Sequence, residues 1–183
     1  MATITDEVPE HSGAVERLLD LSFGPGRFAK TAYRLREGVA PIRALSFVAM
    51  DGTDGLIGSL RFWPVMIGGQ HQAIMLGPLA VDPRHRSSGV GMSLMLAALG
   101  KAIHLGHRIC ILVGDEPYYA RVGFSRERAR GLEFPGPVDP SRLLARELVA
   151  GAMTGVHGLV HRVLPDDPVS PTSTPLAPPG KHQ

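Results

Sequence analysis

The stretch L-A-V-D-P-R-H-R-S-S-G-V-G, residues 79–91, constrains this chain more than any other. Leu79, Ala80 and Val81 close an apolar run. Asp82-Pro83 stops it, because proline lacks an N–H and restricts the residue before it, so a strand is predicted to end near Val81. Arg84, His85 and Arg86 bring positive charge to the turn that follows. Ser87, Ser88, Gly89 and Gly91 are small enough there for backbone N–H groups to face a ligand, and a helix starts at once. Free N–H groups and the positive dipole end of a helix both favour an anion, so the stretch reads as a strand, a phosphate-sized cradle and a helix.

The flanks give this unit a setting. A short strand is expected over 2–5, then a helix opened by Pro9 and Glu10, with Val15, Leu18, Leu19 and Ser22 at helical spacing and Gly24-Pro25-Gly26 as its stop. A second helix is expected over 28–37. Apolar runs over 44–50 and 56–67, joined by D-G-T-D-G, make a hairpin. Gly68-Gly69 turns the chain into a third strand, 70–81, so a meander leads to the cradle. The helix after it, 89–105, carries Met92, Leu96, Leu99 and Ile103 on one side and Met95, Ala98 and Ala102 beside them. R-I-C-I-L-V, residues 108–113, is a continuous apolar run and hence a buried strand parallel to the one before the helix. A short helix over 118–122, closed by Gly123, and a strand from Phe124 come next. Runs over 143–149 and 156–163 read as strands pairing with each other. From about residue 165 the chain is rich in Pro, Ser and Thr, and is expected to be a mobile tail.

Composition narrows what the cradle serves. At 183 residues, 44% hydrophobic and 20% charged, the chain can bury the core of one globular domain, and a formal charge of +2 suggests neither a nucleic-acid nor a membrane partner. A single cysteine, Cys110, excludes an internal disulfide; inside an apolar strand it reads as a buried small hydrophobe. His71, His104, His107, His157 and His161 share no metal spacing, so no metal is expected. Without a leader-like segment or a run of roughly 18 apolar residues, a cytoplasmic location is the expectation. A glycine turn before a helix occurs in many α/β folds. This one has no G-K-S/T for a nucleoside-triphosphate loop and lacks the third glycine of a dinucleotide fingerprint.

Two motifs in order carry a more specific resemblance. R-S-S-G-V-G, residues 86–91, is similar to the R/Q-x-x-G-x-G/A turn of the GNAT superfamily of N-acetyltransferases, and Y-Y-A-R-V-G-F, residues 118–124, is similar to its Y-x-x-x-G-F segment. One helix and one strand separate them, as in that superfamily, and the chain most resembles its small bacterial YhbS-type members. The resemblance implies a GNAT fold of the α/β (α+β) class over residues 1–164: a mixed central sheet flanked by helices, with one pair of strands splayed apart. It implies that the N–H groups of Arg86, Ser87, Ser88, Gly89, Val90 and Gly91 bind the pyrophosphate of acetyl-CoA. Leu79, Ala80 and Val81 would line its pantetheine arm, Leu79 and Val81 by backbone hydrogen bonds. Tyr119 matches the tyrosine that protonates the departing thiolate, while Tyr118 is assigned to packing.

The implied activity is direct transfer of an acetyl group from acetyl-CoA to an amine, with a homodimer allowed. Two departures matter. The loop before the tyrosines is a short G-D-E-P where many relatives carry an asparagine, and I-M-L-G-P-L-A-V, residues 74–81, has no carboxylate where relatives place a general-base glutamate. Glu147, Asp115, Glu116 and His71 stand as substitutes. Arg61, Phe62 and Trp63 either line an acceptor pocket or are ordinary strand residues. A non-catalytic acyl-CoA sensor, or a transferase of longer acyl groups from CoA or an acyl carrier protein, is the alternative.

Overall fold

Near-continuous apolar runs between 47 and 81, buried on both faces, build the middle of the molecule. In the computed structural model, which describes residues 1–165, three antiparallel strands run through that region: β2 (Phe47–Asp51), β3 (Gly55–Ile67) and β4 (His71–Val81). The β3–β4 loop has three residues, 68–70; Gly68 and Gly69 take φ of 60° and 69°, left-handed geometry that glycine adopts freely, and the Gln70 N–H closes the turn on the Ile67 carbonyl at 3.2 Å. β1 (Thr3–Asp6) adds to the outer edge of β2. β5 (Ile109–Val113) joins β4 in parallel, and β7 (Leu143–Glu147) takes the far edge of β5 antiparallel. The sheet order is therefore β1-β2-β3-β4-β5-β7.

Helices and loops cover both faces. α3 (Val90–His104) lies on one, where Leu94, Met95, Ala98, Leu99 and Ala102 pack with Leu60, Phe62, Ile74, Leu76, Cys110 and Leu112. α1 (Ser12–Phe23) covers part of the other, placing Val15, Leu18 and Leu19 on Val48 and Ala80. The rest of that face buries Trp63, Val65, Met75 and Ile111 under Leu35 and the residues before β7 and around β8 (Gly158–Arg162). No helix among the described residues is long and apolar enough to cross a membrane.

Several expectations are corrected. The helix expected over 28–37 is broken: a 3-10 segment, Pro25–Ala29, an extended Lys30, then the single turn α2 (Thr31–Arg34). Arg27 is drawn back to Asp20 and Glu16 of α1, and Thr31 donates to the Pro137 carbonyl at 2.5 Å, so long-range polar contacts override local helix preference here. The first residues of the run over 44–50 form a 3-10 turn, Arg43–Leu45, before β2. The buried side of α3 is rotated from the expected stripe, leaving Leu96 and Ile103 exposed; a helix apolar nearly all round has no period to choose its face, and small Ala98 and Ala102 let it approach the sheet. After α4 (Glu116–Tyr119), Phe124 is buried but starts no strand, since only Ser125 bridges to Ala145. β8 does not pair with β7. It pairs with the far half of β3, on the edge that β2 leaves free, and with the short β6 (Leu132–Glu133). The tail expected from residue 165 lies, beyond Pro165, outside the described residues.

Candidate functional site

The turn between β4 and α3 is organised by its own acid. Asp82 accepts from the Arg84 N–H at 2.9 Å and from its guanidinium at 3.0 and 3.2 Å, contacts that hold its carboxyl below the ordinary value. His85 meets Asp54 at 2.8 Å. Two of the three basic residues are thereby engaged within the fold. The Arg86 side chain is exposed and forms no ion pair with a described residue, but its N–H, expected to face the pyrophosphate, bonds the Pro83 carbonyl at 3.4 Å and closes the turn instead.

Beyond Arg86 the backbone turns left-handed at Ser87 (φ 64°) and Gly89 (φ 86°). The N–H groups of Ser87, Gly89, Val90, Gly91 and Met92 find no acceptor among the described residues, whereas the Ser88 N–H and hydroxyl both return to the His85 carbonyl. Gly91 is needed for close packing: a β-carbon there would stand 2.7 Å from the Tyr118 hydroxyl. Tyr118 is half-buried and packs against the core as expected, with its hydroxyl beside Gly91 at the start of α3.

The strand leading to this turn has an open edge. β4 and β5 pair only at Ile74 with Cys110 and Met75 with Ile111. Immediately afterwards Gly77 and Pro78 together oppose the single residue Arg61 of β3, a bulge that bends β4 away. The Asp82 N–H bonds the Ile57 carbonyl at 2.8 Å, so the alternation of an antiparallel ladder turns Ala80 towards β3 and the backbone groups of Leu79 and Val81 towards the gap. Ala80 instead buries its methyl against α1.

Tyr119 stands at the C-terminal end of β5. Its ring lies edge-on to Phe124 at 6.3 Å and to Tyr118 at 5.0 Å, and it packs so tightly on Gly114 that a β-carbon there would come within 2.9 Å of its Cδ2. Burial, reinforced by Tyr118 and Asp115, pushes its phenol up to about 12. Its hydroxyl has no hydrogen-bond partner among the described residues.

The substitutes for the absent strand carboxylate are scattered. Glu147 pairs with Ile109 at the other end of β5, roughly 13 Å along the strand from Val113, and is held by Arg128. His71 begins β4, a full strand before the turn. Glu116 accepts from the Arg126 N–H. Asp115 is exposed near Tyr119, 3.9 Å from Arg142. Cys110 is fully buried and its thiol is pushed far up by desolvation, which suits packing and not nucleophilic attack. No group of three or more metal-binding side chains is assembled among the described residues.

Two cavities flank β4. The larger, about 1130 Å³, opens at the start of the strand around His71 and His107, away from the turn and from Tyr119. The smaller, about 280 Å³, lies on the face opposite α3 and is bounded by Arg61 and Trp63 of β3, Pro78 of the bulge, and Glu16, Tyr33 and Arg36. Of the three β3 residues considered for an acceptor pocket, Arg61 and Trp63 line it, while Phe62 is buried under α3. Tyr33 and Arg36 carried no motif and fall in the stretch whose helix the fold breaks, so no sequence signal marked them.

A mixed sheet whose parallel pair parts beside a glycine turn, with helices on both faces, defines the GNAT fold. Comparison with known proteins agrees. A family model described as the acetyltransferase (GNAT) domain matches residues 43–126. The uncharacterized N-acetyltransferase YhbS of Escherichia coli is 31% identical over 155 residues, covering 84% of this chain and 92% of its own. The crystal structure of Escherichia coli YhbS in complex with CoA superposes with a TM-score of 0.76 at 30% identity, over 88% of this chain and 89% of that one. A Brucella melitensis GNAT acetyltransferase in complex with acetyl-CoA superposes with a TM-score of 0.57 at 26% identity, over 79% and 95% of the two chains. The chain belongs to the GNAT acetyltransferase family.

Proposed function

We propose that this protein binds acetyl-CoA and transfers its acetyl group directly to an amine. The observation that carries the reading is the set of five N–H groups without acceptors among the described residues, Ser87, Gly89, Val90, Gly91 and Met92, gathered at the start of α3 beside the open edge of β4. That array, with Arg86, suits a pyrophosphate. The outward-facing backbone of Leu79 and Val81 suits the amide-bearing pantetheine arm, which would lie in the gap as an added strand. Two relatives seen with CoA or acetyl-CoA support the choice of cofactor.

The chemistry follows from the thioester. The amine lone pair attacks the carbonyl carbon, a β4 backbone N–H polarises the carbonyl oxygen, and the C–S bond breaks with its electron pair on sulfur. Tyr119 gives its proton to that sulfur and regains one from water. Glu147, His71 and Glu116 lie elsewhere or are engaged, so the attacking nitrogen loses its extra proton to solvent, with exposed Asp115 near Tyr119 the remaining carboxylate that water could connect to it. Burial keeps Tyr119 protonated, the form an acid needs.

The scatter of the substitute bases also favours a second reading, a binder of acyl-CoA that performs no transfer. Calorimetry with CoA and with dephosphorylated pantetheine tests the cradle, and equal affinity for the two would remove it. An acceptor screen that detects released CoA thiol tests transfer; binding without turnover across amines would leave the sensor.

A further inference from the structure

Of the arginines lining the smaller cavity, one is neutralised by no described carboxylate. Three arginines converge on the cavity: Arg27, Arg36 and Arg61. Arg27 is held by Asp20 and by Glu16 at 3.0 Å. Arg61 is held by Glu7 at 2.6 Å, with Glu16 at 3.5 Å. Arg36 forms no ion pair with a described carboxylate. Its guanidinium instead rests 4.5 Å from the centre of the Tyr33 ring and 5.6 Å from that of Trp63. Its Nε and the Tyr33 hydroxyl are both buried and form no well-aligned hydrogen bond, although the hydroxyl lies close enough to favour the charged guanidinium. Desolvation pushes its pKa down to about 10, so it stays charged at neutral pH. Keeping a charged, unsatisfied group in such a place costs free energy that a ligand can recover.

Its position ties it to the reacting end of the site. Arg36 Nη2 lies 3.2 Å from where a β-carbon of Gly77 would stand, and Trp63 Nε1 donates to the Gly77 carbonyl at 2.6 Å. Gly77 and Pro78 form the bulge just before Leu79. An arm that runs back along Val81 and Leu79 from the glycine turn therefore delivers its thioester to the wall of this cavity. Glu16 and Glu37 belong to the same lining, which makes the cavity a poor host for a polyanion. One free planar guanidinium among carboxylates matches a small amphoteric molecule, and the stacked fork is set to take a carboxylate through two parallel hydrogen bonds.

We propose that this cavity is the acceptor site and that the acceptor is a small amine carrying a carboxylate, an amino acid or a close relative, whose carboxylate pairs with Arg36. The proposal rests on the reading of Leu79 and Val81 as the bed of the pantetheine arm.

The test uses the full chain and pairs of amines that differ only in the acid: amino acids against their amides and against the amines left by decarboxylation. Turnover is read as released CoA thiol, binding by calorimetry in saturating CoA. The acids are expected to exceed their amides by about 100-fold or more in kcat/KM, because a site built around a buried polar group discriminates strongly against a ligand that leaves it unpaired. Arg36→Gln is expected to erase that preference without changing CoA affinity. Arg36→Lys, which keeps the charge, is expected to retain part of it and covers the case in which the glutamine variant misfolds. Equal use or equal binding of acids and amides by the parent protein overturns the proposal, as does failure of every acid to bind. A parent that prefers succinyl-CoA to acetyl-CoA with amide acceptors also overturns it, because Arg36 would then serve the acyl group. Absence of CoA binding marks a different failure, that of the cofactor reading, and removes the acceptor assignment with it.

Discussion

Tyr118 and Tyr119 are adjacent, yet their hydroxyls have different surroundings. Tyr119 is wedged between Gly114 and Phe124 with its phenol pushed up to about 12, while Tyr118 sets its hydroxyl against Gly91. If Tyr119 protonates the leaving thiolate, Tyr119→Phe should lower kcat by about 100-fold or more with CoA affinity retained, and Tyr118→Phe should be mild; steady-state kinetics with calorimetry checks both. The pH dependence has a definite sign. Burial disfavours phenolate, so the acid form persists into alkali, and a kcat profile should show no falling limb from Tyr119 below about pH 10. Gly91 yields a separate test. Gly91→Ala brings a methyl onto the Tyr118 oxygen, while its next neighbours, Val81 and Leu79, stand at ordinary contact distances of 3.6 and 3.7 Å. The single substitution should lower the melting temperature, and adding Tyr118→Phe should restore much of it, a coupling that a double-mutant cycle measures.

At the scale of elements, the site depends on where β5 ends and α4 begins. Gly114 accepts the Tyr119 ring where any β-carbon would collide, so Gly114→Ala should displace the tyrosine. It is expected to reproduce the kcat loss of Tyr119→Phe with CoA affinity nearly unchanged, since the glycine turn belongs to another loop. An intact kcat in a folded Gly114→Ala protein would show that the ring's present position is not the working one. The meander and the parallel β5 were legible from residues 44–113, because period, turn glycines and an unbroken apolar run act locally. The pairing of β7 and β8 was not. Both are five-residue strands with few apolar residues, and which open edge each meets, that of β5 or that of β3, depends on the whole sheet being in place.

For the molecule as a whole, we propose that residues 1–164 form the acyltransferase domain and that 165–183 are dispensable to it. Their Pro, Ser and Thr content offers little apolar surface to offset ordering entropy. A chain ended after Leu164 should keep the parent's melting temperature and CoA affinity, and a marked drop in either would show that the segment docks. The two sides of the sheet divide the work proposed for them: α3 and the glycine turn bring N–H groups to the phosphate end, and the face under α1 and Arg36 offers the acceptor its place. The bulge at Gly77–Pro78 is where the two meet.

The sequence by itself determined the strand end, glycine turn and helix start, because proline, small residues and a helix start within thirteen positions leave the backbone few alternatives. It also placed Tyr119, whose motif is local. Only the tertiary structure decided which way each strand residue faces, turning Leu79 and Val81 to the gap and Ala80 to β3 and α1. It alone showed that Asp82 and Asp54 engage Arg84 and His85, so that of the three basic residues only the one at the motif position keeps its side chain outside such a pair. And it alone brought Arg36 to Gly77, forty-one positions away, because a pocket made by residues distant in the chain exists only once packing has brought them together.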